Sequence, residues 1–282
     1  MSSSDDFVDL EEAIIRDCTD HEQKNGHLDD YSRSLPFGDY FVKFGGYASF
    51  LPEVMTLEYV AKLASKDASA PRVPQVYHFF HRDKQMSYVV MEFIPMVKVS
   101  PKDLAPLAAL AVRWMRGVPA PDDVVLGQLG DGRARHVIFK NYKAPLDFTS
   151  VEALERFFNR AVARLPPSQN PVTDISIANE PLVLTQSDMH SCNFGVDTAG
   201  RAVVLDAGDL GWLPQSLADY TLFGTTGFAR AVAAYLYDDP DVAARVQQSP
   251  NLASMDRVKV LLWTAYPSSL GLDNDGYLPS RR

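Results

Sequence analysis

The residues able to do chemistry crowd into one stretch, Leu184 to Pro214, with the sequence LTQSDMHSCNFGVDTAGRAVVLDAGDLGWLP. Asp188 is followed, after four intervening residues, by Asn193, and Asp206 comes thirteen residues later. Asp206 ends a VVLD run and precedes Ala207 and Gly208. Singly, such Asp and Asn residues cap turns and helices. Together, one carboxylate and one amide on a loop, with a second carboxylate returned by a hairpin, make a Mg²⁺-nucleotide site. Mg²⁺ keeps several waters and needs one or two protein oxygens besides the phosphates. The remaining carboxylate can orient a hydroxyl and accept its proton.

The flanking sequence supplies elements to position this set. Asp39–Phe44, DYFVKF, is a β-rich run with Lys43 near its end, stopped by Gly45 and Gly46. From Pro52 to Ser65 the period becomes helical, with Pro52 expected in the first turn. Glu53, Leu57, Val60 and Ala64 fall on one stripe, which carries Glu53 inward. A helix-start acid favoured by the dipole is the other reading of Glu53. Gln75–Phe80 and Met86–Phe93 read as strands around a hairpin loop at His81–Gln85, closed by Pro95. Beyond Pro101 the texture is helical: Asp103–Trp114, interrupted near its start by Pro106, and a helix opened by Thr149–Glu152 that runs to about Leu165. Pro181–Thr185 is a strand entry, Asn193–Val196 and Ala202–Leu205 flank a turn at Asp197–Gly200, and Leu217–Tyr237 and Val258–Ala265 are further helices. Asp17–Asp30 is polar and expected to loop or fray. The fold class predicted is α+β, a small β-rich lobe at residues 1–94 and a larger, mainly helical lobe at 95–282, hinged at Met91–Pro95.

At these residues the chain resembles the aminoglycoside phosphotransferase and choline-kinase-like branch of the protein-kinase-like fold, in particular fungal aminoglycoside phosphotransferase-like domains. The resemblance rests on D-x-x-x-x-N followed by D-x-G at Asp188, Asn193, Asp206 and Gly208. It extends to Lys43 in FVKF, Glu53 before L-x-Y-V, the MEFIP linker and the Gly127–Lys140 stretch, GQLGDGRARHVIFK. It implies a bilobal ATP- and Mg²⁺-dependent enzyme that phosphorylates a hydroxyl of a small molecule. Asp188 would be the catalytic base, and Asn193 and Asp206 the metal ligands. Lys43 would contact the phosphates, held by Glu53, and the backbone at Glu92, Phe93 and Ile94 would meet the adenine edge. The chain departs from the family at Gln186, where a His is common, and at Ala207, where D-F-G has Phe. Those departures motivate a second reading, a pseudokinase-like nucleotide-binding module without transfer. The absence of an A-P-E mark argues against a protein kinase.

Composition bounds the partners. The 282 residues are 46% hydrophobic and 22% charged, a globular balance, and carry a formal net charge of −9. An acidic surface disfavours nucleic acid. No apolar run is long enough for a membrane span, no secretory signal is visible, and two distant cysteines, Cys18 and Cys192, suit a reducing, cytoplasmic setting. An acidic cleft would suit a cationic acceptor such as an amino sugar or choline. Gly127–Gly132 reads as a turn and not a dinucleotide motif. His190 reads as a loop brace ahead of a contact to substrate or phosphate. Asp209 reads as an aid to metal or substrate and Asp219 as a brace for the loop, with a solvated or capping role the equal alternative for both. Trp114, Trp212 and Trp263 read as core. Oligomeric state is left open.

Overall fold

Alternation along one strand explains how the first lobe is built. In Tyr40–Gly46 (β2), Val42 and Phe44 point to one face of the sheet and Phe41 and Lys43 to the other. The computed structural model, which describes residues 4–29, 31–130, 133–167, 172–224 and 226–279, pairs β2 with Ser34–Phe37 (β1) and with Met86–Glu92 (β4). Val76–Arg82 (β3) completes an antiparallel sheet of order β1-β2-β4-β3. Gly38, at φ +56°, lets β1 turn into β2 through two residues.

The helix Ser4–Asn25 (α1) covers the outer face of this sheet. Ile14 and Cys18, one turn apart, are buried with Val42, Phe44, Phe80, Tyr88 and Val90. The expectation that Asp17–Asp30 loops or frays is therefore corrected for Asp17–Asn25, because a polar segment with a narrow apolar stripe is helical once a sheet face covers that stripe. Residues 26–29 do turn out of the helix, and Asp30 lies outside the described residues. Tyr47–Ala64 (α2) packs on the inner side. It begins five residues before Pro52, so the proline lies inside the helix and not at its start. Pro52 lies close enough to the N-terminus that it removes only one helical hydrogen bond. Leu57 and Val60 are buried as expected.

The second lobe is mainly helical. Pro101–Arg116 (α3) is capped by Ser100, whose hydroxyl accepts from the Asp103 amide at 3.3 Å and donates to its carboxylate at 2.7 Å. Pro106 is accommodated without ending the helix. Val151–Val162 (α4) opens on the Ser150 cap. Two ribbons follow. Leu182–Gln186 (β5) pairs antiparallel with Leu210–Pro214 (β8), and Phe194–Val196 (β6) with Ala202–Val204 (β7). The expected helix Leu217–Tyr237 is two, Gln215–Phe223 (α5) and Gly227–Leu236 (α6). The chain breaks at Gly224, and the Thr226 hydroxyl caps the second helix by accepting from the Ala229 amide. Pro240–Gln247 (α7) was not expected, and Pro250–Thr264 (α8) starts eight residues before Val258.

One apolar core joins α2, α3, α6 and both ribbons around Trp212. A second joins α4, α5 and α8 around Phe139, Phe157 and Phe158. Trp212 is core as expected. Trp114 is half-buried, its indole N–H donating to Asp67, and Trp263 is 42% exposed with Lys259 over its ring. Each of those two indoles keeps a wet edge. The architecture is two-lobed, a small antiparallel sheet lobe against a mainly helical lobe. No described helix is long and apolar enough to cross a membrane.

Candidate functional site

Where the lobes meet, β2 delivers Lys43 and the second turn of α2 delivers Glu53. The Lys43 ammonium donates to Glu53 at 2.5 Å and to Asp206 Oδ1 at 2.9 Å. Their side-chain exposures, 18% for Lys43, 9% for Glu53 and 44% for Asp206, make the pair with Glu53 the dry one and leave Asp206 half open. Burial alone would lower the Lys43 pKa, but the charges of Glu53 and Asp206 outweigh it and hold the ammonium protonated. Burial raises Glu53. It would raise Asp206 too, yet Lys43 and the Gly208 amide hold that carboxyl below its usual range. Asp206 is therefore an anion at neutral pH.

The other residues come from the connection between the two ribbons. Asp188 follows β5, and a short turn brings Asn193 back to the start of β6. The Asn193 amide nitrogen donates to the Asp188 carbonyl at 2.8 Å and to its carboxylate at 2.9 Å, which fixes the amide's orientation. Gln186 works in both directions: its amide donates to the Asp206 carbonyl at 2.6 Å, and its Oε1 accepts from the Asp188 amide at 3.2 Å. The amide at this departure thus ties the Asp188 loop to the Asp206 loop. Ala207, the other departure, is buried in the larger core, and its carbonyl accepts from Gln128 at 2.9 Å. Thr226 donates to the Met189 carbonyl, so the cap of α6 also braces the loop. His190 accepts from the Cys192 amide, a local brace as expected.

Lys43, Asn193 and Asp206 line one end of an inter-lobe cavity of about 610 Å³. Its other walls are apolar: Phe41, Met91, Ile94, Met96 and Leu205. Ser34 of β1 and Ser32 just before it border the cavity, with Ser34 opposite Lys43 in register. Glu92 and Phe93 line it too. The Glu92 amide donates to the Gln75 carbonyl and its carboxylate pairs with Arg72, whereas among the described residues the Phe93 and Ile94 amides have no partner. Cys192 also lines the cavity, its thiol pushed up by burial and by Asp188, which favours the protonated form.

The oxygens here suit Mg²⁺. Among the described residues Asp206 Oδ2 has no hydrogen-bond partner, and Asn193 Oδ1 meets only the Cys192 thiol, at 3.5 Å. No described cluster of three His, Cys, Asp or Glu could hold a metal by itself, so an ion here would take phosphate oxygens and waters for its other positions.

Sequence reasoning missed the opposite wall. Gly127 exchanges two 2.8 Å backbone bonds with Trp212, and a Cβ on Gly211 would stand 2.6 Å from the Gly127 backbone, so only glycine lets this loop lie on β8. Gly127 is thus a bridge to β8, while Gly132, at the end of the expected turn, lies outside the described residues. The loop carries Arg135, whose Nε donates to Asp209 at 2.5 Å, and Tyr142, which sits against Asp188. Burial and the charges of Asp206 and Asp188 raise Asp209, against the pull of Arg135. His136 anchors the loop. Its Nδ1 accepts from the Ile138 amide, leaving Nε2 to donate to the Leu217 carbonyl at 3.0 Å. Asp219, expected near the site, instead pairs with Arg116 and accepts from Tyr237 and Gln215 within the helical lobe. The sequence signal for it was the resemblance of the Gly127–Lys140 stretch, with Arg, His and Lys concentrated between Arg133 and Lys143.

No family model and no curated protein matches the chain. Among solved structures, a thermostable mutant of aminoglycoside phosphotransferase APH(4)-Ia, in ternary complex with AMP-PNP and hygromycin B, is 15% identical over 88% of this chain and 90% of its own, with a TM-score of 0.47. ADP-bound aminoglycoside phosphotransferase APH(2'')-Ib is 12% identical over 92% and 98%, with a TM-score of 0.48. A putative fructosamine-3-kinase from Haemophilus somnus 129PT is 12% identical over 86% and 79%, with a TM-score of 0.47. Likenesses at this level assign no role to any residue here. By its own motifs and the two-lobed fold they occupy, the chain resembles the aminoglycoside phosphotransferase and choline-kinase-like branch of the protein-kinase-like fold.

Proposed function

We propose that the protein is an ATP- and Mg²⁺-dependent phosphotransferase acting on a hydroxyl of a small molecule. The observation that carries this reading is the convergence of Lys43, Asn193 and Asp206 on one end of an inter-lobe cavity, with Asp188 hydrogen-bonded beside them. The apolar end takes the base between Met91, Met96 and Leu205, with the main chain at Phe93 and Ile94 free for its edge. Lys43 moves from Asp206 to the phosphates while Glu53 keeps it in place. Asn193 Oδ1 and Asp206 Oδ2 would hold Mg²⁺, which when bound would neutralise phosphate charge and fix the phosphates' orientation.

Asp188 accepts a hydrogen bond from the acceptor hydroxyl and aims its oxygen at the γ-phosphorus. The new O–P bond forms as the β–γ bridging P–O bond breaks. ADP leaves with that electron pair, and the hydroxyl proton ends on Asp188. Catalysis is then positioning and charge neutralisation in a partly dry cleft. Gln186 supports transfer over mere nucleotide binding, because it links the base loop to the metal loop despite the departure.

The test is incubation of the full chain with ATP, Mg²⁺ and a metabolite extract, scored by mass for gain of one phosphate. The expected result is one or a few phosphorylated metabolites, lost with Asp188→Asn. ATP bound without any acceptor-dependent ADP release would instead establish the binding-module reading.

A further inference from the structure

On the far side of Glu53 and Gly208 lies a second cavity of about 220 Å³. Glu53 and Gly208, which border the Lys43–Asp206 cluster, form part of its wall, and Arg133, Arg135 and Lys143 form another part. The same three cations line an adjoining cavity of about 310 Å³, where Lys140 joins them. Arg133 already engages all three of its nitrogens, with two bonds to Asp147, at 2.8 and 3.4 Å, and one to the Pro145 carbonyl. Arg135 spends only its Nε, on Asp209. Among the described residues, the two terminal amino groups of Arg135 and the ammonium groups of Lys140 and Lys143 have no partner.

Lys140 and Lys143 are exposed and Arg135 is half-buried, so this wall turns positive charge toward solvent in a chain whose net charge is −9. The backbone that presents them is unusual. Asn141 and Tyr142, at φ 55° and 58°, occupy the left-handed region in succession, a conformation that costs a bulky residue about 1–2 kcal/mol. That bend sets Tyr142 against Asp188 and Lys143 on the cavity wall, and His136 pins the loop from the other side. An arginine fork with two free amino groups beside a lysine suits a carboxylate or a phosphate. A cationic acceptor would meet like charge there.

We propose that the acceptor is an anion, a hydroxyl compound bearing a carboxylate or phosphate group, held by Lys143 and Arg135 with its hydroxyl at Asp188. This rests on the phosphotransferase reading and replaces the cationic acceptor expected from net charge.

The test is calorimetric titration of the full chain, saturated with Mg²⁺ and ADP, with inorganic phosphate, glycerol 3-phosphate, gluconate and glucosamine. At least one hydroxyl-bearing anion is expected to bind and glucosamine is not. Which anion binds tells phosphate from carboxylate. Lys143→Glu should weaken that binding at least tenfold, and Lys143→Arg should restore it, with unchanged melting of both variants confirming the fold. Preference for glucosamine, binding of none of the four, or indifference to Lys143→Glu overturns the proposal. So does an equal loss of ADP affinity in Lys143→Glu, which would give the cations to the nucleotide. Failure of ADP itself to bind sinks the phosphotransferase reading alone, and the same titrations on the nucleotide-free chain then decide the charge preference.

Discussion

The two ends of the crevice are built by opposite means. The inter-lobe end is made by regular elements: β1, β2 and β4 give it Ser34, Phe41, Lys43 and Met91, and the β6–β7 ribbon brings Asn193 and Asp206 up from below. Its walls are mostly apolar. The far end is made by an irregular loop laid on β8, and its walls are Arg135, Lys143 and Glu53. On the proposed reading, the first end would select a flat uncharged surface by area and shape, and the second would select by charge. Asp188, Asp206 and Lys43 stand between the two, which is where the proposed reaction would pass its phosphoryl group.

The largest expected effect breaks the junction itself. Asp206→Asn removes the free carboxylate oxygen and should lower phosphoryl transfer by about three orders of magnitude. Lys43 stays paired with Glu53, so the melting temperature should hold. A transfer rate near that of the wild type in single-turnover assays would dismiss Asp206 as a metal ligand. Glu53→Gln acts next, because it strips a buried cation of its driest partner. About 3 kcal/mol of stability should be lost in denaturant unfolding, less than for a fully orphaned charge because Asp206 remains. No loss would mean that Lys43 does not need Glu53.

Acid should distinguish the two ends. Burial lowers the His136 pKa to about 3, against about 6.5 in the unfolded chain. Between these values the unfolded chain takes up a proton that the folded chain refuses. Its contribution is therefore complete above about pH 6.5 and falls as pH drops toward 3. By pH 5 the loss should reach roughly 2 kcal/mol. Hydrogen exchange should show the loop around His136 loosening before the β2–β4 sheet, and simultaneous loosening would deny His136 its anchoring role. The smallest effect tests the apolar end. Met96→Ala should weaken ATP binding by about fivefold, near 1 kcal/mol, without changing the response to anions.

The sequence made the two ends unequally legible. The inter-lobe end follows from short-range rules: alternation exposes Lys43 to the cleft, a helical stripe turns Glu53 inward, and a hairpin returns Asp206 to Asn193. Each is periodic, and each is visible in the chain. The far end has no period. Arg135 reaches Asp209 across 74 positions, and the loop's seat on β8 depends on Gly127 meeting Gly211, contacts that only the tertiary fold creates. Helix ends failed for a related reason. Pro52 and Pro106 looked like boundaries but sit inside α2 and α3, because packing holds a helix past one missing bond. The polar second half of α1 read as a loop, because only a sheet laid over Ile14 and Cys18 makes it a helix. Gln186 and Ala207 looked like losses, yet their bonds to Asp206, Asp188 and Gln128 hold the two loops together.

Metal-dependent nucleotide binding tests the central claim most directly. Mn²⁺ can stand in for Mg²⁺, and its binding can be followed by electron paramagnetic resonance with and without ATP. The wild type should take up Mn²⁺ tightly only when ATP is present, and Asp206→Asn should abolish that uptake. Equal uptake by both proteins, or ATP binding indifferent to metal, would contradict a triphosphate site built on Lys43, Asn193 and Asp206.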